Sequence, residues 1–145
     1  MKKMISILLA VITLVGVMVY PSYASDNTSV VPRLNNGNNC SYNFVISSSG
    51  MSEVRVTYEG IPGVMNSVTV TTYIQKKILG LFWITVDIGT PDKKWVDSST
   101  NLYGLFVHQF QLQSTGTYRA VFKVVFSGTG GSDDVIEDMI EKKYS

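Results

Sequence analysis

From Cys40 onward, apolar and polar residues alternate with a period of two almost everywhere, and the runs are separated by clusters of Gly, Pro, Ser, Asn and Asp. Successive side chains of an extended strand point to opposite faces, so this pattern specifies half-buried β-strands joined by turns. A first strand is expected over Cys40 to Ile46, ended by Ser47-Ser48-Ser49-Gly50. The second, Glu53 to Glu59, places Val54, Val56 and Tyr58 inward and is stopped by Gly60-Ile61-Pro62-Gly63. The third, Ser67 to Gln75, carries Val68, Val70, Thr72 and Ile74 on one face. Lys76 to Gly80 reads as the connecting turn, and Leu81 to Ile88 as a fourth strand whose apolar face is Phe82, Ile84, Val86 and Ile88.

A short fifth piece is expected around Lys94 to Val96. The sixth strand, Leu102 to Leu112, puts Phe106, His108, Phe110 and Leu112 on one face and Gln109, Gln111 and Gln113 on the other. The seventh is the most regular of all. Gly116 opens it and Tyr118, Ala120, Phe122, Val124 and Phe126 form its inward row. The last segment, Asp133 to Lys143, has apolar residues at helical spacing (Ile136, Met139, Ile140), whereas a strand reading leaves Asp138 on the face of Ile136 and Ile140. Because Gly128-Thr129-Gly130-Gly131 reads as a hairpin turn leading back along the seventh strand, an edge strand is expected. Seven or eight short strands without a helix predict an all-β fold, an immunoglobulin-like antiparallel β-sandwich, with a small closed barrel as the alternative.

The residues before Cys40 follow no such period. Lys2 and Lys3, the apolar run Met4 to Val19 and the small residues Ser22 and Ala24 describe a signal peptide over residues 1–24, cleaved after Ala24. Residues 25–39, polar and turn-rich, read as a flexible arm, which leaves residues 40–145 as one β-sandwich domain. The expected location is therefore outside the cell. No later segment is long and apolar enough to cross a bilayer, so no membrane partner is expected after cleavage. Loss of Lys2 and Lys3 takes the 12 Lys and Arg to 10 against 11 Asp and Glu, a balance that argues against nucleic acid as partner. A lone cysteine, Cys40, forms no internal disulfide, and its alternation with Tyr42, Phe44 and Ile46 predicts burial.

Thr115-Gly116-Thr117-Tyr118-Arg119-Ala120 resembles the corner that opens the penultimate strand of immunoglobulin-type domains, with Ala120 in the cysteine's place. Over residues 50–145 the wider pattern is similar to an uncharacterised family of small secreted proteins of Gram-positive bacteria: Thr71-Thr72-Tyr73-Ile74-Gln75-Lys76-Lys77, then Trp83, Trp95, Gly-Thr-Tyr-Arg and an acidic last segment. The resemblance implies an immunoglobulin-like sandwich and a secreted habit, and brings no activity with it.

Chemistry-bearing residues are few. His108 is the only histidine, and with Cys40 it supplies too few ligands for zinc. No serine or cysteine stands in a nucleophile-elbow context, so no catalytic residue, metal or cofactor is expected. The acidic run Asp133, Asp134, Glu137, Asp138 and Glu141 lacks the loop that wraps calcium and reads as a solvated edge. What remains is aromatic. Trp95 lies between Asp92-Lys93-Lys94 and Asp97, and Trp83 lies among Ile78, Leu79 and Leu81; an aromatic face beside carboxylates is how sugars are held. Trp95, Trp83, Asp92 and Asp97 are the candidate ligand residues, against packing of the tryptophans under a loop. The sequence therefore points to a secreted, non-enzymatic binding module for a wall glycan or a protein. A secreted effector acting on neighbouring cells is the second reading, a small hydrolase the third.

Overall fold

The computed structural model describes residues 33–145; the expected signal peptide and residues 25–32 of the expected arm lie outside them. Eight strands follow in order: β1 (Gly37–Ile46), β2 (Met51–Gly60), β3 (Met65–Ile78), β4 (Phe82–Thr85), β5 (Trp95–Ser99), β6 (Tyr103–Gln111), β7 (Gly116–Gly128) and β8 (Asp134–Tyr144). All pairings are antiparallel. One sheet has the order β1-β2-β6 and the other the order β4-β3-β7-β8, with β5 also on β3. This is the immunoglobulin-type arrangement, first, second and sixth strands facing third, seventh and eighth. β3 is long enough to hold two partners on one edge: β5 along Val68 to Thr72, and β4 along Gln75 to Ile78.

The core lies between the sheets. Phe44, Val54, Val56 and Tyr58 from one meet Val68, Val70, Ile74, Tyr118, Ala120, Phe122, Val124 and Phe126 from the other, all buried. Tyr42 stacks on Phe122 across the gap at 5.0 Å between ring centres, so aromatic contact is part of the lamination. The inward rows are those the alternation specifies, because a two-residue period leaves one face of each strand no choice once the other is polar. The corner is also present. Tyr118 Oη donates to the Ser114 carbonyl at 2.6 Å, and Ala120 is fully buried two residues on. Tyr118→Phe is expected to lower unfolding free energy by about 1–2 kcal/mol, because it leaves that carbonyl without its donor; a urea titration finding no change would remove the corner from the stability account.

Three expectations change. The sandwich begins earlier than residue 40: Asn36 and Gly37 are buried, and the Asp134 carboxylate accepts from the backbone N–H groups of Asn35 (2.8 Å), Asn36 (2.6 Å) and Gly37 (2.9 Å). The Asn36 side chain completes this clasp, donating to the Ser132 carbonyl at 3.0 Å and accepting from Gly130 N–H at 3.0 Å. Gly37 has no room for a side chain, since a Cβ would lie 2.7 Å from the Phe126 ring. Residues 35–39, expected as part of a flexible arm, therefore belong to the domain.

The second change concerns β4. Phe82 and Ile84 pair with Ile78 and Lys76, on the face that carries the β3 core row, yet they are 63% and 56% exposed. The alternation gives their face correctly, but this end of β3 carries no core residue and the facing sheet does not cover it. Only Val86 and Ile88 of the expected apolar face reach the interior. The connection is also tighter than Lys76 to Gly80, since pairing continues to Ile78↔Phe82 and only Leu79-Gly80-Leu81 lie between them. Leu79 and Gly80 have left-handed φ, 52° and 69°, as a type I′ turn requires, and Leu81 N–H closes the turn on the Ile78 carbonyl at 3.1 Å.

Third, Cys40 is only half-buried, against the core's margin. The last segment is a strand, β8, with Ile136 and Ile140 packed on the core and Asp138 exposed on their face. A charge at that place on an outer strand discourages pairing with another sheet edge.

Candidate functional site

The four candidate residues fall on two different surfaces. Trp95 and Asp97 pair with Thr72 and Val70, so they lie on the inward face of β5. There the Trp95 ring stacks on His108 from β6, 4.8 Å between centres and 3° from parallel, and Asp97 Oδ2 lies 2.7 Å from His108 Nε2. A strand of one sheet is thereby tied to a strand of the other. Trp95 also packs against the core, so packing under the sheet margin is its role in the fold. His108 is half-buried, as its place between Phe106 and Phe110 predicts, and its carboxylate partner is something the sequence did not indicate. Among the described residues no serine, threonine or cysteine hydrogen-bonds it.

Trp83 and Asp92 lie on the outer face of the larger sheet. Trp83 pairs with Lys77, and Gln75 with both Thr85 and Arg119, so these groups share that face. The Arg119 guanidinium sits 4.2 Å from the Trp83 ring centre and the Lys77 ammonium 5.4 Å. Arg119 Nε donates to Gln75 Oε1 at 2.8 Å, and Gln75 Nε2 reaches Thr85 Oγ1 at 3.4 Å. Cations over an indole are attracted by its electron-rich face, so Trp83 is held flat instead of free to rotate.

Beside this row is an open groove of about 240 Å³, lined by Tyr73, Gln75, Thr85, Asp92, Lys93 and Lys94. Tyr73, Gln75 and Thr85 come from the floor strands β3 and β4, while the loop before β5 forms one wall. That loop is braced: Thr90 Oγ1 donates to the Lys94 carbonyl and accepts from its N–H, both at 2.9 Å, and Asp92 lies 3.8 Å from Lys94 Nζ. Amide, hydroxyl, carboxylate, ammonium and phenol groups thus face one shallow space. Alternation does place Tyr73 and Gln75 outward, but nothing in the sequence shows that the 90–94 loop folds back over them, so Tyr73, Gln75, Thr85 and Arg119 were not foreseen.

Cys40 does not join either surface. Burial pushes its thiol above the ordinary value, with the neighbouring Tyr42 offsetting part of the rise, so it is a poor nucleophile. Burial likewise drives the Tyr42 phenol far up, and its hydroxyl has no hydrogen-bond partner of good geometry. The acidic residues of the last strand are dispersed: Asp134 is in the clasp, and Glu137 pairs with Lys123 at 2.9 Å. The described residues contain no cluster of three or more His, Cys, Asp or Glu positioned for a metal, and no helix long and apolar enough to cross a membrane.

The class that fold and site define is an immunoglobulin-like β-sandwich with a polar-aromatic groove on the outer face of its larger sheet. No family model, curated protein or solved structure matches the chain.

Proposed function

We propose that this chain is a secreted, non-enzymatic binding module that holds a segment of a cell-surface glycan in the groove over β3 and β4. The observation that carries the reading is the lining itself, where Tyr73 offers a ring, and Gln75, Thr85 and Asp92 offer hydrogen-bonding groups in one open space. Sugars are bound by that combination, and a groove of this size suits one ring of a longer chain more than a fully enclosed small molecule. The non-enzymatic part rests on His108, which faces Asp97 and Trp95 and not a nucleophile. Secretion, and kinship with the small Gram-positive proteins, belong to the same proposal and rest on the leader and the short motifs.

Of the residues first singled out, Asp92 stays in this site, Trp83 supports it through Arg119, and Trp95 and Asp97 leave it. Retention of the protein from Ser25 onward on purified cell wall and on glycan arrays tests the reading. Tyr73→Ala and Gln75→Ala are each expected to weaken retention about tenfold, the equivalent of about 1.4 kcal/mol, with the melting temperature unchanged. Trp95→Ala is expected to lower the melting temperature instead. Absence of retention on any glycan, together with growth inhibition of neighbouring strains, would replace this reading with the effector.

A further inference from the structure

The β3–β4 hairpin ends in an apolar tip that nothing in the domain covers. Leu79 is 85% exposed, Leu81 74%, Phe82 63% and Ile84 56%. Because only Leu79-Gly80-Leu81 separate the paired Ile78 and Phe82, and Leu81 N–H bonds the Ile78 carbonyl at 3.1 Å, the tip is a stiff protrusion and not a loose loop. Large apolar groups concentrated on a soluble domain's surface mark a place that meets another phase or molecule.

Charge decides what that is. The register puts Lys76 and Lys77 on β3 beside the tip, Arg119 opposite Gln75, and Lys142 and Lys143 of β8 opposite Tyr118 and Thr117, so all five cations gather at the hairpin end of the sheet. Two acids come near them, Glu141 opposite Arg119 and Asp92 in the groove beside Gln75; Asp134, Glu137 and Asp138 lie further along β8 toward its other end. Lys142 and Lys143 are exposed, while Lys77 and Arg119 lie over Trp83 and Lys76 Nζ donates to Ser114 Oγ at 2.6 Å. An apolar point backed by cations and an indole is the pattern of groups that seat at a bilayer interface.

We propose that this end of the sheet docks on an anionic lipid bilayer. Leu79, Leu81 and Phe82 enter the boundary between headgroups and acyl chains, Trp83 sits at headgroup depth, and the lysines meet lipid phosphates. A second copy is the poorer occupant, because tip-to-tip packing sets Lys76, Lys77 and Arg119 against their equivalents, whereas an anionic surface complements them. The expectation of no membrane partner rests on the lack of a crossing segment, and a domain that lies on a bilayer has none. The proposal rests on residues outside the groove lining, although Trp83 and Arg119 stand beside both.

Co-sedimentation of the protein from Ser25 onward with vesicles of equimolar phosphatidylglycerol and phosphatidylcholine, and with phosphatidylcholine alone, tests it. Binding is expected to the first and to be far weaker on the second. The double variant Leu81→Ser, Phe82→Ser loses about tenfold or more in partition, and Lys77→Gln and Lys143→Gln lose about fivefold each. These side chains are outside the core, so far-ultraviolet circular dichroism should be unchanged, and Tyr73→Ala should bind vesicles normally. No partition of the unaltered protein, or partition indifferent to the tip variant, overturns the proposal. A lipid-free dimer at sedimentation equilibrium that the tip variant dissolves would replace it with self-association.

Discussion

Phe122→Ala is expected to lower the unfolding free energy by about 3–5 kcal/mol, the range for deleting a fully buried aromatic side chain. Phe122 is 0% exposed, pairs with Thr72 in the middle of β7 and carries the stacked Tyr42 ring from the opposite sheet. Removing it takes away apolar surface and leaves a void that both sheets must collapse around. A domain of this size commonly has about 5–15 kcal/mol in total, so the variant should melt far earlier and bring a large fraction of the margin with it. Equilibrium urea denaturation measures this directly, and a loss under about 1 kcal/mol would mean that the row Tyr118 to Phe126 does not face the core.

Asp134→Asn is expected to cost about 3 kcal/mol at neutral pH, by a different mechanism. The carboxylate satisfies three consecutive backbone N–H groups, and an amide in its place turns an NH2 group toward some of those donors. Burial alone pushes the Asp134 carboxyl up, but the bonds from Asn35, Asn36 and Gly37 together outweigh it and hold it below its ordinary value of 3.8. Since the folded form prefers the ionised group, its contribution is fully present above about pH 4, and it fades as pH falls through the lower folded-state value. Denaturation followed from neutral pH downward should show the unaltered protein losing this increment in acid. The Asn variant should lack it, so that the two curves converge. A gap between them that persists unchanged into strong acid would show that the carboxylate is not what the clasp depends on.

Much of the fold was legible because a strand that buries one face must alternate. The inward rows of β2, β3, β6 and β7 and the Tyr118 corner all follow from period two and one turn signal. The choice between helix and strand for the last segment was settled against its helical spacing, because pairing with β7 along Gly116 to Phe126 outweighs local pattern. Alternation says which residues share a face, however, and not what lies opposite. Phe82 and Ile84 show this, being on the expected face with no sheet across from them. Polar clasps are invisible for the complementary reason. Asn35-Asn36-Gly37 has the composition of a loop, and its partner Asp134 is remote in sequence. The candidate site was legible only in part, since Trp83 and Trp95 are close in sequence but point to opposite faces of one sheet.

The clasp also bears on the order of assembly. Its bonds join residues separated by 94 to 99 positions, almost the whole span of the domain. Contacts of that separation carry a large chain-closure entropy and form late, after the hairpins that bring their ends near. The β1–β2 and β3–β4 hairpins need only neighbouring sequence, and β2 already holds the start of β1 through Gly37↔Gly60 and the Ile61 N–H bond to the Asn36 carbonyl at 2.9 Å. The N–H groups of Asn35, Asn36 and Gly37, however, have no carboxylate until Asp134 exists and β8 has paired with β7. A ribosome delivers Asn36 long before Asp134. The clasp is thus the last tie to be made at this end of the sandwich, and until then the residues before β1 are held by the β2 end alone.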